Sequence, residues 1–311
     1  MVKTKTTYMR DREEKSIIDK ISKVVNELSF PDHRMNFVKQ MISLSRLLMM
    51  YDLNISTTFK AIDDKAQDPT YFVAAYFDTK DIEQALWVHR MIRLLARYVL
   101  LYDKFFETKN KRYVLLARKV RRSINKVLAS EINKHRLQYS IDYSLKQFWP
   151  FWEFEQTVKS HILEGATFSY NEIRNFSLSK SSDASLIYTR VLDSKLPSFN
   201  ENVSLVLHYN QALLDLMDDW QDIEEDIRED MPNVFVMATI ESVPYNIIKK
   251  YNITKLRNTI KNSLESSKSP IIRLIDEYHT SIRNISIPNN LVFIKLVSDH
   301  HAQTLRQAIS S

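Results

Sequence analysis

The stretch LMDDWQDIEED, residues 216–226, predicts an amphipathic helix from about Val203 to Arg228, whose two faces have opposite chemistry. At about 100° per residue, apolar side chains recur along one side from Leu213 to Ile227. Asp218, Asp222 and Asp226 recur every fourth residue on the nearly opposite side, where like charges repel one another. Because something must offset this repulsion, the segment indicates either a charged face in water or a site for metal cations.

The composition extends the helical interpretation to the whole chain. A single glycine in 311 residues leaves almost no positions for tight hairpins or left-handed helix caps. It also excludes the glycine-rich loops that bind phosphate. Helical periodicity runs almost throughout, broken by short polar segments such as Thr108 to Asn110, without a competing strand pattern, a repeat or a long linker. The sequence therefore predicts an all-α protein in which residues 1–311 form a single large helical bundle.

Several classes of protein are excluded by what the sequence lacks. The absence of cysteine excludes disulfides, thiolate metal sites and cysteine nucleophiles. The polar stretch at residues 1–16 lacks the apolar segment of a signal peptide. No charge-free stretch approaches the roughly 18 residues that cross a bilayer. We expect a cytoplasmic protein without a transmembrane segment.

The charges are unevenly distributed. Residues 109–126 contain eight lysines and arginines, whereas residues 215–230 contain nine carboxylates and one arginine. A basic helix can be a solvated face, or it can bind nucleic acid, a membrane surface or a polyphosphate. Because no recognition helix of a helix-turn-helix motif is evident, we expect no nucleic-acid partner. Peripheral contact with a membrane surface remains an alternative for this basic segment.

A second helix is predicted from Gln84 to Phe106, where QALWVHRMIRLLARYVLLYDKFF is apolar on nearly all sides, as in a buried helix. Asp103 stands at its carboxyl end, and Glu107 follows one turn later. A carboxylate at the end of an apolar wall is costly unless it is paired, solvated or bound to a cation. These residues are therefore either a solvated helix end or metal ligands. The acidic residues 63–68 precede a proline, which predicts a loop.

Divalent cations are one explanation of the carboxylates, and a charged face in water is the other. Mg²⁺ prefers oxygen ligands and binds through a few carboxylates plus substrate phosphates. Asp218, Asp222 and Asp226 lie about 6 Å apart per step along one helix face. With a facing pair, Asp103 and Glu107, and basic side chains, they would clamp a diphosphate. Loss of diphosphate from an allylic carbon is the reaction that such a clamp promotes.

The motif D-D-x-x-D-x-x-x-D at 218–226 resembles the second metal-binding motif of class I isoprenoid synthases. These enzymes include trans-prenyltransferases, squalene and phytoene synthases, and terpene cyclases. Asp218, Asp219 and Asp222 match the prenyltransferase D-D-x-x-D, while Asp218, Asp222 and Asp226 match the ligand positions of terpene cyclases. Glu225 and Asp226 match the end of the phytoene synthase pattern. The motif identifies the superfamily better than the branch.

The first motif of these enzymes is represented by D-K-F-F-E, residues 103–107, in a reduced form. It keeps Asp103 and Glu107 but has Lys104 where a second aspartate often stands. Lys111 and Arg112 follow one residue out of register with the arginine pair of prenyltransferases. The resemblance implies that Asp103 and Glu107 are metal ligands and that Lys111 and Arg112 bind diphosphate.

Two further arginines are implied as diphosphate-binding residues by the same resemblance. Arg174 precedes the second motif, as the diphosphate-sensing arginine of terpene cyclases does. Arg306 is similar to the carboxyl-terminal arginine of those enzymes, although Gln307 replaces the tyrosine that usually follows it.

The resemblance implies a helical bundle with a central active-site cavity, up to three Mg²⁺ ions with Mn²⁺ as an alternative, and farnesyl or geranylgeranyl diphosphate as substrate. It allows a homodimer. The reduced first motif and the aspartate triad favour a terpene cyclase or a head-to-head condensing enzyme over an ordinary chain-elongating prenyltransferase, with the terpene cyclase as the leading prediction. The alternatives are a squalene- or phytoene-type head-to-head condensing enzyme, a chain-elongating prenyltransferase, or a non-catalytic helical partner subunit of the same fold. Lys104 and Gln307 motivate the last of these.

Overall fold

The ordered elements are helices throughout the part of the chain that can be described. The computed structural model describes residues 82–129, 134–181, 201–264, 269–287 and 292–310. Within these ranges there is no strand, which confirms the predicted all-α class. The predicted loop at residues 63–68 and the polar stretch at 1–16 lie outside them. The helices are α1 Ile82–Thr108, α2 Lys111–Ala129, α3 Lys134–Leu163, α4 Tyr170–Lys180, α5 Glu201–Gln221, α6 Ile223–Arg228, α7 Val234–Thr239, α8 Tyr245–Ile248, α9 Ile253–Leu264, α10 Pro270–Asn284 and α11 Val292–Ser310.

The chain groups into two compact units. The first comprises Met1–Ile141, Arg190–Ser198 and Pro288–Phe293, and the second comprises the remaining segments. Helices α1 and α2 belong to the first unit, and α4 to α10 belong to the second. Helices α3 and α11 begin in the first unit and run mainly in the second. The single bundle predicted for residues 1–311 stays a prediction.

The first unit is built on the packing of α2 against α1. Helix α1 buries apolar side chains such as Met91, Leu95 and Leu101, as predicted for a helix within a core. The predicted break after Thr108 is confirmed, since Lys109 takes a positive φ of 56° and α2 starts two residues later. No helix in the described ranges combines the length and the apolar character needed to cross a bilayer.

Helix α5 is the centre of the second unit, where it packs against α4, α6, α7 and α10. The predicted apolar stripe belongs to the core, because Leu213, Leu216 and Trp220 of α5 are buried, as is Ile223 at the start of α6. Complete burial of one such side chain stabilises a fold by roughly 1.5 to 3 kcal/mol. This stripe therefore fixes which side of α5 faces its neighbours.

The acidic helix differs from its prediction at one residue. It was expected to run unbroken from Val203 to Arg228, but α5 ends at Gln221 and α6 begins at Ile223. The i to i+4 pattern nevertheless continues through the break, since the Asp222 amide donates to the Asp218 carbonyl at 2.8 Å. The Asp226 amide likewise donates to the Asp222 carbonyl at 2.9 Å. The helical spacing of the three aspartates is therefore preserved.

The only glycine in the sequence ends α3 in a left-handed conformation, with φ at 78°. The Gly165 amide donates to the Ile162 carbonyl at 3.1 Å, and the Ala166 amide donates to the His161 carbonyl at 2.9 Å. These two bonds form a Schellman motif, in which glycine avoids the strain of a positive φ. Asp230 occupies the same position after α6, with φ at 55°.

Candidate functional site

Five aspartates share one face of α5 and α6. At about 100° per residue they fall within an arc of about 100°. Asp218 and Asp222 are exposed, Asp215 and Asp226 are half-buried, and Asp219 is buried. We call this set the acidic face: Asp215, Asp218, Asp219, Asp222 and Asp226.

Asp219 anchors the acidic face to two neighbouring helices. One carboxylate oxygen forms a salt bridge with the ammonium group of Lys180, the last residue of α4. The other oxygen accepts a hydrogen bond from the Val234 amide at the start of α7, at 2.9 Å. The Asp219 side chain is 1% exposed, so both oxygens are held by the protein. The metal-ligating role predicted for Asp219 would require one of these bonds to open.

Lys180 brings a positive charge into the acidic face. Burial works against this charge, but the carboxylates of Asp219 and Asp215 raise the Lys180 pKa. The same ammonium group lowers the pKa values of Asp215, Asp218 and Asp226 without restoring them to their ordinary range. One lysine therefore only partly compensates the crowded carboxylates.

Asp218 and Asp226 have pKa values above the ordinary range of an aspartate. Burial, followed by the neighbouring Asp215 charge, raises the pKa of Asp218 to about 6, although part of its side chain reaches solvent. Burial also raises the pKa of Asp226 to about 7, and the Asp219 charge adds to the effect. Crowded carboxylates whose ionisation is opposed by burial and by like charges are the electrostatic condition that a divalent cation relieves.

Asp215 was missed by the sequence interpretation and forms the inner end of the acidic face. Its Oδ1 accepts a hydrogen bond from Gln211 at 2.8 Å, while its buried Oδ2 has no hydrogen-bond partner within the described residues. Burial raises the Asp215 pKa. Its position three residues before Asp218 was the signal that could have identified it.

Asn233 connects the acidic face to α7. Its side-chain amide donates to Asp226 Oδ2 and to the Asp219 carbonyl, both at 2.7 Å. Its Oδ1 accepts from the Phe235 amide at 3.0 Å and the Val236 amide at 3.3 Å, which caps α7. Sequence could have identified the cap, because asparagine is favoured before a helix. It could not have identified the bond to Asp226.

The turn between α6 and α7 is held in place by side chains from α8 and its end. The Asp230 amide donates to the Ile227 carbonyl at 3.4 Å and the Met231 amide to the Asp226 carbonyl at 2.7 Å, a Schellman motif. Asp230 Oδ1 accepts from Tyr245 at 2.9 Å and from Lys249 at 2.6 Å. These bonds hold Asp230 in a left-handed backbone conformation that glycine would adopt with less strain.

Replacement of Asn233 tests whether its bonds to Asp226 and to the start of α7 stabilise the fold. Asn233→Ala removes a helix cap and leaves buried polar groups unsatisfied, so we expect unfolding free energy to fall by about 2 to 4 kcal/mol. Asn252 is the matched control, because its side chain accepts from the Lys255 amide at 2.9 Å on an exposed turn. Asn252→Ala should cost only about 0.5 to 1 kcal/mol in urea unfolding. Equal losses in the two variants would contradict the connecting role of Asn233.

Arg174, predicted to sense diphosphate, is paired with a carboxylate of α10. Its Nε donates to Glu277 Oε1 at 2.6 Å, and the Tyr170 hydroxyl donates to Glu277 Oε2 at 2.6 Å. The bond to Glu277 raises the Arg174 pKa. A diphosphate-binding role would require Arg174 to exchange this partner. Lys180, two turns further along α4, is the cationic side chain that contacts the acidic face.

Arg306 is also paired with α10. Its guanidinium donates to Asp276 Oδ1 at 2.7 Å, and the Asp276 side chain is 59% exposed. An exposed pair of this kind contributes little to stability, so Arg306 can leave it at small cost. Its predicted contact with diphosphate stays a prediction.

The remaining predicted site residues lie in the first unit. Glu107 forms a salt bridge with Lys104 one turn earlier on α1, and Asp103 is half-buried on the same helix. Lys111 and Arg112 are exposed at the start of α2, where the Arg112 amide is capped by Asn110 at 3.0 Å. The clamp between these residues and the acidic face stays a prediction.

A ready-made metal cage is not present in the described ranges, where no three Asp, Glu or His side chains converge on one point. Mg²⁺ does not require such a cage, because it commonly binds through one or two carboxylates, water and substrate phosphates. The residues that fit this chemistry are Asp218, Asp222 and Asp226, which stand on successive turns and include two of the three carboxylates with raised pKa values.

The sequence matches no family model and no curated protein. We therefore base the functional proposal on the chemistry of the acidic face and on the motif that it carries.

Proposed function

We propose that this chain is a Mg²⁺-dependent class I isoprenoid synthase of the terpene cyclase type, which ionises farnesyl or geranylgeranyl diphosphate. The observation that carries the proposal is the crowding of Asp218, Asp222 and Asp226 on one helical face, where burial and like charges raise two carboxylate pKa values. A surface helix that needed only solubility would not also place half-buried Asp215 and Asp226 and buried Asp219 on the same face. The resemblance of residues 218–226 to the second metal motif supports the same conclusion.

Each residue of the acidic face has a role in this proposal. Asp218, Asp222 and Asp226 would hold Mg²⁺, each ion through one or two of these carboxylates together with water and substrate phosphates, and the bound metal would neutralise the charge that develops on the diphosphate leaving group. Asn233 orients Asp226 through its 2.7 Å hydrogen bond. Asp219 and Lys180 fix the position of the helix, so that they act as positioning residues.

A pH-dependent effect of Mg²⁺ on thermal stability is expected. The raised pKa values of Asp218 and Asp226 mean that the folded state binds protons more tightly than the unfolded state. Their contribution to stability is therefore lost as pH rises from about 4 to about 7, where both ionise and repel. Because metal binding requires the ionised form, Mg²⁺ should raise Tm by several degrees at about pH 8 and by much less at about pH 5.5.

The control for this measurement is NaCl at matched ionic strength, which screens repulsion without occupying a site. Asp222→Asn should reduce the Mg²⁺-specific increase in Tm at about pH 8. An increase of the same size with NaCl, or one that does not depend on pH, would contradict metal binding at the acidic face.

The products distinguish the branches of the superfamily. A cyclase converts one molecule of farnesyl or geranylgeranyl diphosphate into a hydrocarbon or alcohol that retains its carbon number. A squalene- or phytoene-type enzyme joins two molecules, and a chain-elongating enzyme requires isopentenyl diphosphate. Mass spectrometry of the organic extract from each incubation separates these outcomes, and a product of doubled carbon number would replace the cyclase assignment with a condensing enzyme.

A non-catalytic helical partner of the same fold is the second candidate. It is favoured by the partners of three predicted site residues, since Glu107 pairs with Lys104, Arg174 with Glu277 and Arg306 with Asp276. Such a protein would release no diphosphate under any condition. Asp222→Asn would then be neutral or slightly stabilising, because it relieves like-charge repulsion.

A further inference from the structure

Helix α2 has a strongly basic surface, of which the proposed function uses only Lys111 and Arg112 at the start of the helix. Residues 108–129 contain no aspartate or glutamate, so no carboxylate within the helix can compensate its cations. At about 100° per residue, six exposed cationic side chains fall within an arc of about 120°. We call this set the basic face: Lys111, Arg112, Arg118, Lys119, Arg122 and Lys126.

The opposite side of α2 is committed to the core of the first unit. Ala117, Val120, Ile124 and Leu128 are buried, and α2 packs against α1. The helix therefore cannot rotate its apolar stripe toward another partner without loss of this core. Whatever binds α2 from outside meets the basic face.

One apolar side chain interrupts the basic face near its centre. Leu115 is 58% exposed, and the helical spacing places it between Lys111, Arg118 and Arg122. An exposed leucine adds nothing to contacts with phosphate groups alone. At a lipid surface, however, it can enter the boundary between headgroups and acyl chains while the surrounding cations contact the headgroups.

We propose that the basic face of α2 docks on an anionic phospholipid surface. Clusters of four to eight lysines and arginines on an amphipathic helix have the charge that anionic headgroups attract. Nucleic acid is the competing anionic partner, but the face carries no aromatic ring on which a base could stack. Because α2 is packed along its opposite side, its basic face with the central Leu115 fits a planar membrane surface better than the groove of a nucleic acid. This proposal is independent of the isoprenoid synthase assignment.

Cosedimentation with vesicles tests the proposal on the whole chain. We expect binding to phosphatidylcholine vesicles that contain about 30% phosphatidylserine, little binding to pure phosphatidylcholine, and loss of binding near 0.5 M NaCl. The paired substitution Arg118→Gln with Arg122→Gln should weaken the apparent affinity by about tenfold or more. Leu115→Ala should weaken it by about threefold or more, because it removes the inserted apolar group.

The matched control removes two exposed lysines elsewhere, Lys250→Gln with Lys255→Gln, and changes the net charge by the same amount. Equal weakening in the control and in the Arg118 and Arg122 variant would overturn the basic face as the docking surface. Failure of the unaltered chain to bind phosphatidylserine vesicles would overturn the proposal, as would binding of an RNA or DNA oligonucleotide without vesicle binding. Circular dichroism verifies that each variant keeps its helical content.

Discussion

Asp222→Asn is expected to lower Mg²⁺-dependent diphosphate release by on the order of 100-fold while leaving helical content unchanged. Asp222 is exposed at the break between α5 and α6, and its backbone bonds to Asp218 and Asp226 do not involve the side chain. The substitution therefore removes one negative charge and keeps the local geometry. Steady-state release of diphosphate from farnesyl diphosphate measures the loss of activity. Circular dichroism on the same sample measures the helical content.

Glu224→Gln is the matched control for this effect. Glu224 is exposed two residues later, and the helical spacing places it about 160° away from Asp222. It loses the same charge from the same segment but from another face, so release should stay close to that of the unaltered chain. Equal losses in the two variants would indicate a general charge effect and would remove Asp222 from the metal site.

Lys180→Met is expected to produce the largest loss of stability, about 3 to 5 kcal/mol in unfolding free energy. Lys180 is the salt-bridge partner of Asp219, whose side chain is 1% exposed. Without the lysine, that carboxylate stays buried beside Asp215 with no compensating charge. Urea unfolding at neutral pH measures the loss, which should shrink at acidic pH where carboxylates are protonated.

Two further variants separate the salt bridge from other effects. Lys180→Met combined with Asp219→Asn removes both charges but keeps an oxygen that can accept from the Val234 amide, so it should be less destabilised than Lys180→Met alone. Lys159→Met is the control, because Lys159 donates to the exposed Glu229 carbonyl at the long distance of 3.4 Å, so its loss should cost below about 1 kcal/mol. A double variant no more stable than the single one would contradict the buried pair as the cause.

The sequence was sufficient for the features that depend on local periodicity. The single glycine and the helical spacing predicted an all-α protein, and the stripe through Leu213, Leu216 and Trp220 is buried as that spacing requires. The break after Thr108 followed from the polar residues there. These features were accessible because helix formation and the position of an apolar face depend on neighbours within about four residues.

The partners of the acidic face could not be predicted in this way. Lys180 is separated from Asp219 by 39 residues, and Arg174 is separated from Glu277 by 103 residues. Such pairs depend on how helices pack, and no local pattern specifies which basic residue of α4 turns toward which carboxylate. The resemblance implied Arg174 as a cation of the site, whereas packing brings Lys180 into contact with Asp219. The side-chain amide of Asn233 illustrates the same limit, since only its capping role has a local signature.

The break at Asp222 is a difference that periodicity also could not predict. Asp222 has φ at −91° and ψ at 5°, outside the helical range, although its hydrogen bonds to both neighbours continue. The sequence around it contains neither glycine nor proline, the usual signals of such a break. In the proposed enzyme, this break lies at the central metal ligand.

Diphosphate release from farnesyl and geranylgeranyl diphosphate, assayed with and without Mg²⁺, tests the central claim most directly. We expect release that requires Mg²⁺, is lost on chelation and accompanies an organic product in the extract. No release from either substrate, with Mg²⁺ or Mn²⁺ and with or without isopentenyl diphosphate, would contradict the synthase. The acidic face would then be a solvated surface of a non-catalytic helical protein.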